Sequence, residues 1–240
     1  FNMCKKKTHL FTVMTGAVKN IFGVIPGLIK TGYHAKLHDA ARFAGMLLDL
    51  AQYVAPRLTI MDAVLAMEGD GPGSGDPRQV GLLLGSENSL ALDVVAGEIM
   101  GIDRTENPII MEAERRALKP NRLEEIEIVG ASLADVKVAD FKRSQVSAGS
   151  LGLQSMPWYQ RILEPVFKNA FTVRPRVIWE RCIACGTCIE GCPVEAVSFA
   201  DEKAYIDDNK CIRCYCCHEL CPEEAIGLFS SWLYQLLKPA

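Results

Sequence analysis

Cysteine spacing constrains this chain more than any other feature. CIACGTCIEGCP, residues 182–193, is answered by CIRCYCCHELCP, residues 211–222. Each of Cys182, Cys185, Cys188 and Cys192 recurs 29 residues later, as Cys211, Cys214, Cys217 and Cys221. A fixed-period repeat of this kind is one structural unit used twice. Each half reads Cys-x2-Cys-x2-Cys-x3-Cys-Pro. Three cysteines this close on one curled loop bring their sulfurs to three irons of one cubane, while the fourth, held away by proline, is placed to reach the other. The spacing therefore predicts crossed ligation. One [4Fe-4S] cluster takes Cys182, Cys185, Cys188 and Cys221, and a second takes Cys211, Cys214, Cys217 and Cys192.

Other uses of clustered cysteine fit less well. A zinc site takes two Cys-x2-Cys pairs and gives no reason for a third cysteine and a Cys-Pro in each half. A redox dithiol needs a single Cys-x2-Cys. A secreted disulfide framework needs an export signal, and the chain opens at Phe1 with neither a basic-then-apolar leader nor an apolar run long enough for a membrane span. A cytoplasmic protein lacking its first residues is expected. Of ten cysteines only Cys4 lies outside 182–221. Cys216 has no ligand slot, and is expected as a small buried hydrophobe or a sulfur beside a cluster. Arg213 stands where the first motif has Ala184, and a cation there favours the more negative, reduced cluster. Gly186 and Gly191 suit a loop that wraps closely around a cofactor. With 49% hydrophobic residues in 240, the core should not need disulfides. A net charge of −3 points to no nucleic-acid partner.

From Arg176 to Leu228 the sequence resembles the bacterial-type two-cluster ferredoxins. That resemblance implies an α+β unit of two short hairpins and two short helices in pseudo-twofold arrangement, working in electron transfer with a redox partner. Ala196 to Phe199 and Ala204 to Ile206 alternate as strands around Asp201-Glu202-Lys203. Pro193 to Ala196 and Pro222 to Ala225 place Pro and Glu where helices start. Ten carboxylates against five Lys or Arg between Arg176 and Glu224 make a surface suited to basic partners, and equally an ordinary solvated one.

Residues 1–146 read as an α/β domain, an open sheet with flanking helices. Phe1 to Cys4 looks like the end of a strand. Thr15 to Ile25 and His38 to Val54 carry helical periodicity, and Leu58 to Met61 and Val80 to Leu84 read as buried strands. Ser89 to Met100 and Pro108 to Leu118 read as helices, and Ile126 to Val129 as a strand. The loop GDGPGSGD matches neither a Walker loop nor the dinucleotide fingerprint. Lys7 and His9 follow the opening strand, Lys19 lies on the next helix, and Asp62 and Glu68 come from the strand after it. Ligands commonly sit at the carboxyl ends of strands in such sheets, so these five form a candidate anion site. His34 and His38 are expected at the surface or at a helix cap.

KTH at Lys7 to His9, Lys19-Asn20, IMDA at Ile60 to Ala63, MEGDGP at Met67 to Pro72, Asp76-Pro77 and the ALDVVAGEIMG helix together resemble the family known as domain of unknown function 362. Many members carry a ferredoxin tail worded like Cys211 to Pro222. The resemblance implies that the family's N-terminal portion is missing here, places Asp70 where the family often has Asn, and implies no particular reaction.

The expected organisation is an α/β domain over 1–146, a linker and amphipathic helix over 147–175, a ferredoxin-like domain over 176–229 and a tail helix over 230–240. The apolar stripe in Met156 to Phe171 is expected to pack the domains together, in preference to docking on a membrane surface. The function expected is iron–sulfur electron transfer, with the α/β domain binding an anionic small molecule or a redox partner. Two alternatives are an oxidoreductase that reduces a substrate in that domain, and a protein whose clusters act as staples or sensors. No flavin or nicotinamide motif is visible.

Overall fold

The computed structural model describes residues 1–144, apart from 28, 38, 73 and 74, and residues 173–229. The chain divides into two units, Phe1–Ser144 and Gln145–Ala240. The expected helix at 156–171, the tail helix and His38 lie outside the described residues.

The first unit is built on a mixed sheet in the order β2-β1-β3-β4, formed by β1 (Asn2–His9), β2 (Val13–Thr15), β3 (Thr59–Glu68) and β4 (Asp76–Ser86). β1 runs parallel to β3, and the other two pairings are antiparallel. Side chains alternate across a strand, so Asn2, Cys4, Lys6 and Thr8 of β1 turn inward and are buried. Met3 on the other face is 75% exposed and Leu83 of β4 is 71% exposed. Helices were expected on the faces of the sheet, but among the described residues only one face is covered.

Capping sets where the helices begin. Asp39 accepts from Arg42 N at 3.0 Å and starts α3 (Ala40–Val54), whose Phe43, Ala44, Leu47 and Leu48 form the buried stripe. Asn88 accepts from Leu90 N and Ala91 N and starts α4 (Ser89–Ile99), and Asn107 with Pro108 starts α5 (Pro108–Arg115). Three expectations change. Thr15 to Ile25 is not one helix: β2 folds back on β1, and only Ala17–Asn20 (α1) is α-helical before a 3-10 turn. α2 (Ile29–Lys36) is an additional helix, and its His34 is buried and stacked on Phe43 at 4.6 Å between ring centres, not at the surface. Ile126 to Val129 is extended but joins no described strand; it lines an apolar groove with Leu84, Val95 and Ile99.

Charge lies inside this core. Lys6 and Asp93 are 2% and 1% exposed. Lys6 Nζ donates to Met14 Sδ at 3.3 Å, and Asp93 accepts from Ala17 N and Val18 N at 2.6 and 2.9 Å, capping α1 from another element. Burial pushes the Lys6 amine down to about 7 and the Asp93 carboxyl up to about 6. Gly16 makes this approach possible, since a Cβ there would meet Asp93 Oδ1 at 2.0 Å.

The second unit contains β5 (Arg174–Val177) paired with β8 (Ile226–Phe229), and β6 (Val197–Ala200) paired with β7 (Lys203–Ile206). Its helices, α6 (Thr187–Glu190) and α7 (Cys216–Leu220), begin just before the third cysteine of each motif and end before the fourth. They do not begin at Pro193 and Pro222 as expected. Cys-x3-Cys spans about one helical turn, and Pro193 and Pro222, directly after the fourth cysteines, cannot continue it.

Candidate metal centre

The 29-residue repeat is also a backbone repeat. Ala184 and Arg213 have φ of 57° and 58°, Gly186 and Tyr215 of 79° and 60°. Ala196 N donates to Cys192 Sγ at 3.1 Å, and Ala225 N donates to Cys221 Sγ at 3.2 Å. These left-handed residues curl each loop so that successive backbone and sulfur groups face inward.

Two hollows result. One is lined by Cys182, Cys185, Cys188 and Cys221. The other is lined by Cys192, Cys211, Cys214, Cys216 and Cys217. Each takes cysteines of one motif together with the fourth cysteine of the other. The thiols crowd: burial and then the facing Cys221, Cys185 and Cys182 raise Cys188, while burial, Cys214 and Cys192 raise Cys211. Positive charge at the centre of each ring would relieve that repulsion. Among the described residues, no three His, Cys, Asp or Glu side chains close on a single metal ion. Four cysteines in a set match the four thiolates of a cubane, one for each iron.

Cys216 falls outside both rings of four, although it borders the second hollow. It occupies the place of Thr187 in the other repeat. Thr187 Oγ1 lies 3.4 Å from Cys185 Sγ, whereas the Cys216 thiol donates to the Cys214 carbonyl oxygen at 4.0 Å. Cys216→Ala is therefore expected to retain all the iron, since its sulfur is tied to a backbone oxygen and belongs to neither set of four. Iron analysis of the reconstituted protein checks this, and loss of iron would show that Cys216 is a ligand.

The five candidate anion-site residues are dispersed. His9 and Glu68 close the parallel strands β1 and β3 at the same end of the sheet, and Lys7 pairs in register with Met67 near it. Asp62 lies mid-strand on the exposed face, where Lys5 holds it at 2.7 Å. Lys19 lies toward the opposite end of β1, one residue before Asn20, whose amide donates to Asn2 Oδ1 and Met3 O. Nor is His9 set up as a donor through Nδ1, which accepts from Phe11 N and Thr12 N. Glu68 is engaged by Lys142 N at 3.1 Å and faces Arg78. Sequence reasoning missed Lys6 and Asp93, and also Tyr215, whose hydroxyl donates to Val173 O at 2.9 Å. A strand-alternation argument applied to Cys4, Lys6 and Thr8 would have found Lys6.

Among the described residues no helix is long and apolar enough to cross a membrane. Residues 1–98 match the profile of a family described as domain of unknown function (DUF362), and residues 181–225 that of the 4Fe-4S dicluster domain. A thylakoid-associated protein of Synechocystis sp. is 43% identical over 124 residues, which covers 51% of this chain and 39% of that protein. The chain thus spans well under half of that relative's length. The grouping of the cysteines and the two profiles agree, and the chain joins a domain of the DUF362 family to a 4Fe-4S dicluster domain of ferredoxin type.

Proposed function

We propose that this chain carries electrons through two [4Fe-4S] clusters, held by the crossed sets Cys182, Cys185, Cys188, Cys221 and Cys211, Cys214, Cys217, Cys192, and exchanges them with a redox partner. The presence of each motif's fourth cysteine in the hollow of the other motif carries the proposal. When bound, each cluster supplies a one-electron couple. The chain's own residues supply four thiolates per cluster, amide donors from Ala196 and Ala225 to the crossing sulfurs, and an apolar surround from Val177, Val197, Ile206 and Ile226.

Protein reconstituted without oxygen should hold about eight irons and eight acid-labile sulfides per chain, and dithionite should bleach it reversibly. Zinc in place of iron, or clusters that resist reduction, would overturn the proposal. No substrate site among Lys7, His9, Lys19, Asp62 and Glu68 is included, because those residues do not converge. The thylakoid association in the relative's name adds a membrane-side location to the cytoplasmic one expected from sequence. Fractionation of cells that make the full protein decides between them.

A further inference from the structure

The two hollows share a backbone plan and differ in their walls. Position for position, 29 residues apart, Gly186 is answered by Tyr215, Ala184 by Arg213, Thr187 by Cys216, and Glu223 of the first hollow stands where the second has Val194. These changes make the second hollow bulkier, and the exchange of carboxylate for Val194 makes that part of its wall more apolar. Exposure differs most around the second cysteine: Cys185 is exposed and Cys214 half-buried, and Ile183 is 61% exposed against 38% for Ile212, although Cys182 is buried and its counterpart Cys211 half-buried.

Tyr215 holds its place in a backbone conformation that penalises any residue with a Cβ and that its counterpart Gly186 adopts freely. Its ring lines the second hollow, and the hydroxyl bond to Val173 keeps the ring from swinging out. The first hollow has no such cover. A Cβ on Gly186 would find only the Phe199 ring, at 3.8 Å.

We infer that the first cluster is the port through which electrons enter and leave, and that the Tyr215 ring closes the second against solvent and small reactants. The inference rests on the two-cluster reading above. When bound, each cluster would supply a one-electron couple, so the first would give one electron to the oxidised form of a one-electron carrier protein and take one from the second. Electron transfer weakens steeply with distance, so the cluster behind exposed Cys185 offers the shorter path.

Anaerobic bleaching of the reconstituted full chain by ferricyanide with EDTA tests this, using iodoacetamide and peptide mass analysis to identify the cysteines set free. Two phases are expected. The faster should release half of the iron and expose Cys182, Cys185, Cys188 and Cys221 to alkylation. Tyr215→Gly should speed the slower phase at least about tenfold, equivalent to about 1.4 kcal/mol of barrier, while Tyr215→Phe should leave it slow because the ring is kept. Gly186→Tyr should slow the faster phase. Equal alkylation of both cysteine sets at half loss, or an unchanged slow phase in Tyr215→Gly, overturns the inference. Should Tyr215→Gly fail to load iron, an unchanged fast phase in Gly186→Tyr overturns it alone. A wild-type chain that never holds more than about four irons fails the two-cluster reading itself, and the port falls with it.

Discussion

Cys192→Ala should lose the second cluster and keep the first, although Cys192 belongs to the first motif. Iron should fall from about eight per chain to about four, and Cys211, Cys214 and Cys217 should become open to alkylation while Cys182, Cys185 and Cys188 stay protected. Cys221→Ala should give the converse. The physical reason is the turn after each fourth cysteine. Cys192 accepts from Ala196 N and Cys221 from Ala225 N, which fixes each sulfur toward the hollow formed by the other loop. A cubane with three thiolates is open at one iron, and its loss is far larger than any packing change. Loss of the cluster belonging to the mutated motif itself would show that the ligands do not cross.

Asp93→Ala should be the most damaging change in the first unit. It leaves Ala17 N and Val18 N without their acceptor and Lys6 without the carboxylate that most counters its burial. Leaving a buried donor without its partner costs about 1–3 kcal/mol per group. Denaturant unfolding of the full chain, with hydrogen exchange read at α1 and α4, isolates this transition. The pH dependence carries a sign. Lys6 is depressed in the fold, so its contribution is present above its ordinary value of 10.5 and lost as pH falls through about 7. Asp93 is raised, so its contribution is present below 3.8 and lost as pH rises through about 6. The first unit should thus be least stable between about pH 6 and 7 and should gain stability toward pH 10. Lys6→Met should remove the alkaline gain and leave the unit as stable or more so at neutral pH. A flat alkaline profile in the wild type would show that Lys6 is not held neutral.

That the fourth cysteine of each motif lies in the hollow of the other was readable because the spacing is local: three sulfurs on one loop and a fourth beyond a turn leave few geometries. The hairpin at Val197–Ala200 and Lys203–Ile206 was readable for the same reason. What stayed hidden depends on distant partners. Tyr215 is fixed by a carbonyl 42 residues away, and nothing in CIRCYCCHELCP announces that its ring is inside. The run Lys5-Lys6-Lys7 looks like one basic surface, but β1 alternates, so Lys6 goes to the core while Lys5 pairs with Asp62 outside. Thr15 to Ile25 has a helical rhythm, and only the folding back of Val13–Thr15 onto Lys7–His9 breaks it. The candidate anion-site residues do not converge because the short helix that carries Lys19 runs back toward Asn2, which sequence order does not reveal.

The parallel pairing of β1 with β3 also bears on the order of assembly. Asn2 pairs with Thr59 and Met3 with Ile60, partners 57 residues apart, while β3 and β4 meet across a short connection. Closing a long loop costs entropy before any contact is gained, so the β3–β4 pair should form early and the opening strand should insert late, completing the centre of the sheet. Although it precedes β3 in the chain, β1 is then the later of the two to find its place. Until it does, Lys6 remains in water and Asp93 lacks its neighbour, so the slow step of folding coincides with the burial of charge.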